Sequence, residues 1–160
     1  MQYAVEKNKI ILKVKKAHPI LRFLFYAMFS IIFLGPIIGF IISINVGKPF
    51  HFKYVFGMIA SSLLGFYILR YALWNSFGKE IIELRSEKIS YITDYKFFRD
   101  KKNYIRKDHL TFSYRTIGYI EDQMGCLNIH VGEEIIQSVV KMPILDIENL
   151  LKKLTTINKP

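Results

Sequence analysis

The residues best suited to chemistry are few and scattered. Cys126 and His130 are a thiol and an imidazole four positions apart, the types that in contact make a nucleophile and its base. On one strand, four residues at ~3.3 Å hold them about 13 Å apart, so the spacing predicts no Cys–His pair and a buried, structural cysteine. His18, His51, His109 and His130 fall at no metal-ligand spacing. Glu121–Asp122 and Glu133–Glu134 are neighbouring acids at strand ends and read as solvated turns. The chain has no glycine-rich phosphate loop, no G-x-S-x-G and no H-E-x-x-H. The expectation is a protein that is not an enzyme, with no catalytic site, no metal and no cofactor.

A stronger signal is Lys96, Arg99, Lys101, Lys102, Arg106 and Lys107, interleaved with Tyr95, Phe97, Phe98 and Tyr104 and holding Asp100 as its one acid. Basic side chains near a cytoplasmic leaflet attract anionic lipid by roughly 1 kcal/mol each. The competing reading is a solvated strand edge made positive to block strand addition. The two weigh equally; nucleic acid is a poorer partner for a surface tethered to a negatively charged membrane.

What must position this cluster follows from how charge and hydrophobicity are distributed. Of 160 residues 51% are hydrophobic, and 23 basic against 13 acidic side chains leave a net charge of +10, which excludes a disordered basic tail. One cysteine excludes a disulfide scaffold. Phe23 to Gly47 are 25 consecutive uncharged residues, enough at 1.5 Å each to cross a ~30 Å hydrocarbon core. A second uncharged run, Tyr54 to Leu69, resumes after Arg70 and ends at Phe77. Arg70 can reach the headgroups there, with Tyr71 and Trp74 as an aromatic belt and Arg22 as the interface residue of the first span. The pattern predicts a transmembrane hairpin over residues 20–78, with spans of about 23–46 and 54–77. The first run is longer than a signal h-region and reads as a retained anchor. Two buried helices of a soluble bundle would need a large protein around them.

Half of the net charge precedes the first span, in Lys7, Lys9, Lys13, Lys15, Lys16 and Arg22 against Glu6. The positive-inside rule therefore predicts both termini cytoplasmic, in an inner-membrane protein. Gly35, Gly39 and Ser43 in the first span and Gly57, Ser61 and Gly65 in the second make small-residue faces, read as packing the hairpin or alternatively docking a partner helix. Pro36 should kink or loosen the first span.

After Gly78 the period changes to that of strands. The runs 80–84, 88–93, 95–99, 103–107, 110–114, 117–121, 126–131 and 134–140 predict seven or eight short antiparallel strands in a sandwich or barrel over residues 79–160. Ile147, Leu150, Leu151, Leu154 and Ile157 form the stripe of a closing amphipathic helix. Residues 1–19 are read as a cytoplasmic segment whose Tyr3 to Val14 stretch is β-like and able to join the same domain.

This order resembles the pleckstrin homology fold. WNSFGKEIIEL (Trp74 to Leu84), KISYI (Lys88 to Ile92), YIRKDHLTFSY (Tyr104 to Tyr114), CLNIHVGEEI (Cys126 to Ile135) and LDIENLLKKL (Leu145 to Leu154) behind a helical hairpin look like the bacterial PH-like membrane proteins. The resemblance implies a β-sandwich under a membrane hairpin, with scaffolding or assembly roles and no implied phosphoinositide ligand. The expected function is a scaffold or accessory subunit bound to membrane lipids and to a protein partner or a second copy. The alternatives are a small immunity or stress-protection membrane protein, and an accessory component of a transporter or membrane enzyme.

Overall fold

The computed structural model describes residues 2–6, 8–49, 51–105 and 110–157. Two compact units divide the chain, one made of Met1–Lys15 with Phe77–Pro160, the other of Lys16–Ser76.

The first unit is built from two antiparallel sheets and a helix. β1 (Tyr3–Glu6), β2 (Lys9–Lys13), β3 (Lys79–Leu84), β4 (Lys88–Asp94) and β5 (Arg99–Ile105) lie in that order in a five-stranded sheet. The second sheet holds β6 (Leu110–Thr116), β7 (Met124–Val131) and β8 (Glu134–Gln137), with the two-residue β9 (Met142–Pro143) also pairing with β7. The sheets share no strand, so the barrel alternative is replaced by two separate sheets. Alternation along the strands sends Ile10, Leu12, Ile82 and Ile89 of the first sheet and Leu127 and Ile129 of the second into the core, all essentially without exposure. α3 (Ile144–Ile157) packs on β7 through the predicted stripe, with Ile147, Leu150 and Leu154 buried. Its close approach depends on Gly125, where an added Cβ would meet Arg115 O at 3.0 Å and Ile147 Cδ1 at 3.1 Å.

The N-terminal stretch forms two strands, and β2 pairs with β3 in the register Lys13↔Lys79, Leu12↔Glu80, Ile10↔Ile82. Val14 N donates to Gly78 O at 3.1 Å, continuing the ladder by one step. The helical unit is therefore an insertion in the connection between two neighbouring strands; the chain leaves and rejoins the sheet at adjacent positions.

Three strand expectations are corrected. Residues 95–99 and 103–107 are expected as two strands with a turn at 100–102; residues 95–105 are instead a turn at 95–98 followed by β5, and 106–107 lie outside the described residues. Asp94 Oδ1 accepts Lys96 N at 2.8 Å, Tyr95 N donates to Phe98 O at 3.0 Å, and Lys96 takes φ +80°, which closes the turn before the charged run instead of within it. The run Arg99–Lys102 is tolerated as strand because β5 is a sheet edge. Residues 117–121 are a loop entering a 3-10 turn at Ile120–Asp122, where Gly118 adopts φ +88° and the Asp122 carboxylate accepts Tyr119 N at 3.3 Å. The run 134–140 stops being strand at Gln137, because Ser138 and Val139 are drawn to other partners described below.

The second unit is two helices, α1 (Pro19–Asn45) and α2 (Phe52–Phe77, whose last residue counts with the sheets). Both are long and apolar enough to cross a membrane, with mean hydropathy of 2.4 and 1.5 over their most apolar windows. Pro19 opens α1, a position where the missing N–H costs nothing. The helix runs unbroken through Pro36 and ends on Gly47 at φ +73°, with Gly47 N donating to Ile44 O and Lys48 N to Ser43 O. No residue of α1 is buried, and α2 buries only Gly65, Ala72, Leu73 and Ser76.

Candidate functional site

The pairing Lys13↔Lys79↔Asp94↔Arg99 runs across β2, β3, β4 and β5 at the end of the sheet where the chain passes into the helices and returns. Asp94 is buried at its centre and gathers the cations: its Oδ2 lies 3.0 Å from Arg99 Nε and 3.4 Å from Lys79 Nζ, while Oδ1 accepts the Lys96 amide. Burial opposes the charge on this carboxyl, but the Lys96 N–H and the charges of Lys79 and Arg99 outweigh it and hold it below the usual carboxylate range. Lys96 extends from the turn over the Phe77 ring, 4.2 Å from its centroid, and lies 5.5 Å from the Phe97 centroid. Phe97 stands 74% exposed at the tip, whereas Tyr95 and Phe98 stack beneath with centroids 4.6 Å apart.

Of the six basic residues expected to act together, Lys96 and Arg99 meet here. Lys101 shares the face of Arg99 but sits opposite Ile92, two residues farther along the strand. Lys102, opposite Tyr91, belongs to the other face, because strand side chains alternate. Arg106 and Lys107 lie outside the described residues. Lys13, Lys79 and Asp94 complete the cluster and were missed in the sequence, since 66 positions separate the paired lysines and no local pattern announces the β2–β3 register.

In the helical unit, Tyr26 OH donates to Ser76 Oγ at 3.2 Å and Ala17 N donates to Asn75 O at 3.1 Å, tying the start of α1 to the end of α2. Of the expected interface residues, Tyr71 is exposed, Arg70 and Trp74 are half-buried, and Arg22 is half-buried with its Nε lacking a hydrogen-bond acceptor among the described residues. The six small residues divide. Gly65 meets α1, where an added Cβ would lie 3.5 Å from Phe33 Cβ and 3.6 Å from Phe29 Cδ2. Ser43 Oγ and Tyr54 OH bond each other at 2.9 Å, and Ser61 turns back onto Met58 O. Around Gly35, Gly39 and Gly57 an added Cβ would meet nothing within 4 Å, so these three bring no helix surfaces together within the hairpin.

Cys126, Asn128 and His130 share one face of β7, yet the thiol and imidazole have separate partners. Gln137 Nε2 donates to the buried Cys126 Sγ at 2.8 Å, and His130 Nε2 lies 2.7 Å from Ser113 Oγ. A hydroxyl–imidazole pair needs a third group to orient the base. Among the described residues no carboxylate bonds this ring, and no group of three or more His, Cys, Asp or Glu gathers as a metal site.

A second buried carboxylate escaped the sequence reading. Glu80 is fully buried; its Oε1 accepts Tyr91 OH at 2.6 Å and Val139 N at 2.7 Å, and its Oε2 has no hydrogen-bond partner among the described residues. Burial, partly offset by those hydrogen bonds, pushes its carboxyl above the usual range, and burial beside Glu80 pushes the Tyr91 phenol up. On the other side, Ser138 Oγ accepts Leu127 N at 2.9 Å, and Ser138 N donates to Leu127 O at 2.8 Å. The 138–139 segment thus clasps the two sheets together.

No protein-family model matches this chain, and no curated protein sequence matches it.

Proposed function

We propose that the chain is an integral membrane protein in which α1 and α2 cross the bilayer and the sheet unit, a PH-like module on the cytoplasmic side, acts by binding as a scaffold or accessory subunit of a membrane assembly. The insertion of the helical pair into the β2–β3 connection carries this reading. If the helices span a bilayer, residues 14–18 and 78 are the only chain between the headgroups and the end of the sheet. The cations Lys13, Lys79, Lys96 and Arg99 then meet the leaflet together, with Phe97 as the apolar tip of the same turn. Asp94 neutralises part of this charge and fixes its geometry, leaving a basic surface suited to anionic headgroups rather than a pocket for one ligand. The charged flank before α1, richer in cations than the connection at Lys48–Lys53, favours the cytoplasmic side for the sheets.

The test is crosslinking in native membranes followed by purification of the full chain in gentle detergent. A scaffold yields a reproducible crosslinked partner or homo-oligomer of defined mass. A strictly monomeric chain with no crosslinked neighbour contradicts the reading.

A further inference from the structure

We propose that the groove at the loop end of the helical pair holds an anionic glycerophospholipid, one acyl chain between α1 and α2 and its phosphate at Lys48 and Lys53. The inference rests on the bilayer reading of the helices and adds a ligand to it.

Glycine meets opposite surroundings along this pair. At Gly65 the helices touch, with Phe29 and Phe33 packed over the missing side chain. Nearer the loop, where Ser43 Oγ and Tyr54 OH still join the helices at 2.9 Å, Gly39 and Gly57 face open space and, with Pro36, Phe40 and Ser43, line a groove of about 410 Å³. That volume is in the range of small-molecule sites, ~300–1,000 Å³. From Pro36 to Val46 the groove follows α1 for about 15 Å, a length suited to a hydrocarbon chain. The polar atoms of its wall are already paired, Ser43 Oγ with Tyr54 OH, so the interior favours an apolar occupant.

Charge identifies the other end of the ligand. Lys48 and Lys53 both border the groove, and Lys53 Nζ lies 5.9 Å from the Tyr54 ring centroid. No Asp or Glu occurs between Glu6 and Glu80, so the helical unit contains no carboxylate to pair with either lysine. An anion supplied with an apolar tail satisfies both features together. Free phosphate would meet the lysines and leave the groove unfilled.

The experiment uses the full chain in phosphatidylcholine liposomes carrying a trace of either phosphatidylglycerol or phosphatidylcholine with a photoreactive acyl chain, the crosslinks then mapped by peptide mass spectrometry. The phosphatidylglycerol probe is expected to label residues 36–57 on the order of tenfold more than the phosphatidylcholine probe. Lys48→Gln with Lys53→Gln brings that ratio to about one. Gly57→Leu, which fills open space and suits a helix, suppresses groove labelling by both probes but leaves labelling at Leu63 and Phe66 intact. Equal labelling by the two probes in the unaltered chain, or a ratio indifferent to the lysine substitutions, overturns the proposal. So does efficient disulfide formation between two copies carrying Gly57→Cys in a Cys126→Ser background, with lipid labelling of residues 36–57 absent, which assigns the groove to a second copy. Absence of labelling anywhere on α1 or α2 instead defeats the bilayer reading itself.

Discussion

The two units solve the problem of apolar surface in opposite ways. The sheet unit hides its branched side chains from solvent: Ile10, Leu12, Ile82, Ile89, Leu127 and Ile129 are all at 0–1% exposure. The helical unit is the more apolar of the two and buries almost nothing; Ile31 is 72% exposed, Phe56 70% and Ile38 53%. Leaving such a side chain in water forgoes roughly 1.5–3 kcal/mol of burial each, summed over two helices of 27 and 26 residues. One sequence thus holds two sets of rules, water outside an apolar core and, on our reading, lipid outside an apolar surface. Substitutions that behave differently under the two rules separate them.

Charge placed on α1 has the largest expected effect. In water, Ile31→Asp with Ile38→Asp replaces exposed apolar surface and improves solubility. In a bilayer each Asp near the centre costs about 2.5–3.5 kcal/mol on insertion scales. The expected outcome is loss of the double variant from the alkaline-extracted membrane fraction, while the parent chain stays there.

Truncating a core residue comes next. Leu150→Ala in the sheet unit should cost about 2–5 kcal/mol, read by hydrogen exchange of β7 amides in the full-length protein. Leu63→Ala, at 60% exposure on α2, should leave the same amides unchanged. Equal responses would abolish the distinction between the units.

The buried carboxylates sharpen the comparison within the sheet unit. The Glu80 carboxyl titrates higher folded than unfolded, so the native state holds the extra proton. Its contribution to stability is full below its ordinary value of 4.5 and is lost as pH rises through the raised folded value. Asp94 runs the other way. Its lowered carboxyl contributes above its ordinary 3.8, and that contribution is lost as pH falls through the folded value. Glu80→Gln should flatten the decline above 4.5 in a pH series of unfolding measurements, and Asp94→Asn should flatten the decline below 3.8. Glu80→Ala, which orphans Tyr91 OH and Val139 N–H, should cost about 1–3 kcal/mol per stranded donor.

The smallest effect concerns the turn. Phe97→Cys carrying an environment-sensitive fluorophore should shift to the blue in anionic liposomes relative to zwitterionic ones. Lys96→Gln with Arg99→Gln should weaken that shift by about 1 kcal/mol per charge, and added salt should weaken it too. A shift independent of lipid charge would remove the headgroup contact from the account.

Much of this comparison was legible because it depends on local patterns. Uncharged length predicted α1 and α2, alternation at Leu127, Ile129 and Val131 predicted β7, and the spacing of Ile147, Leu150 and Leu154 predicted α3. The candidate site was only half legible. Lys96 and Arg99 are legible as part of a charge run, but its Asp100–Lys102 stretch reads as a turn between two strands because its place on an edge strand is invisible without the sheet. Lys13, Lys79 and the clasp of Glu80 with Val139 depend on pairings between distant segments, which no residue's immediate neighbours specify. Tyr119, beside Gly118, was placed in a strand because aromatic and branched residues favour strands, and a single glycine at positive φ overruled them.

The claim that the helical unit lives in lipid is tested most directly by cysteine accessibility in a Cys126→Ser background, which removes the single native thiol. Val46→Cys, Ile38→Cys and Ser86→Cys are each exposed to a membrane-impermeant maleimide, in intact cells and after lysis. If α1 and α2 span the bilayer, Val46→Cys reacts from outside, Ser86→Cys reacts only after lysis, and Ile38→Cys stays unreactive until the membrane is dissolved. Labelling of Ile38→Cys as readily as Ser86→Cys, or access to Val46→Cys and Ser86→Cys from the same side, would contradict that arrangement.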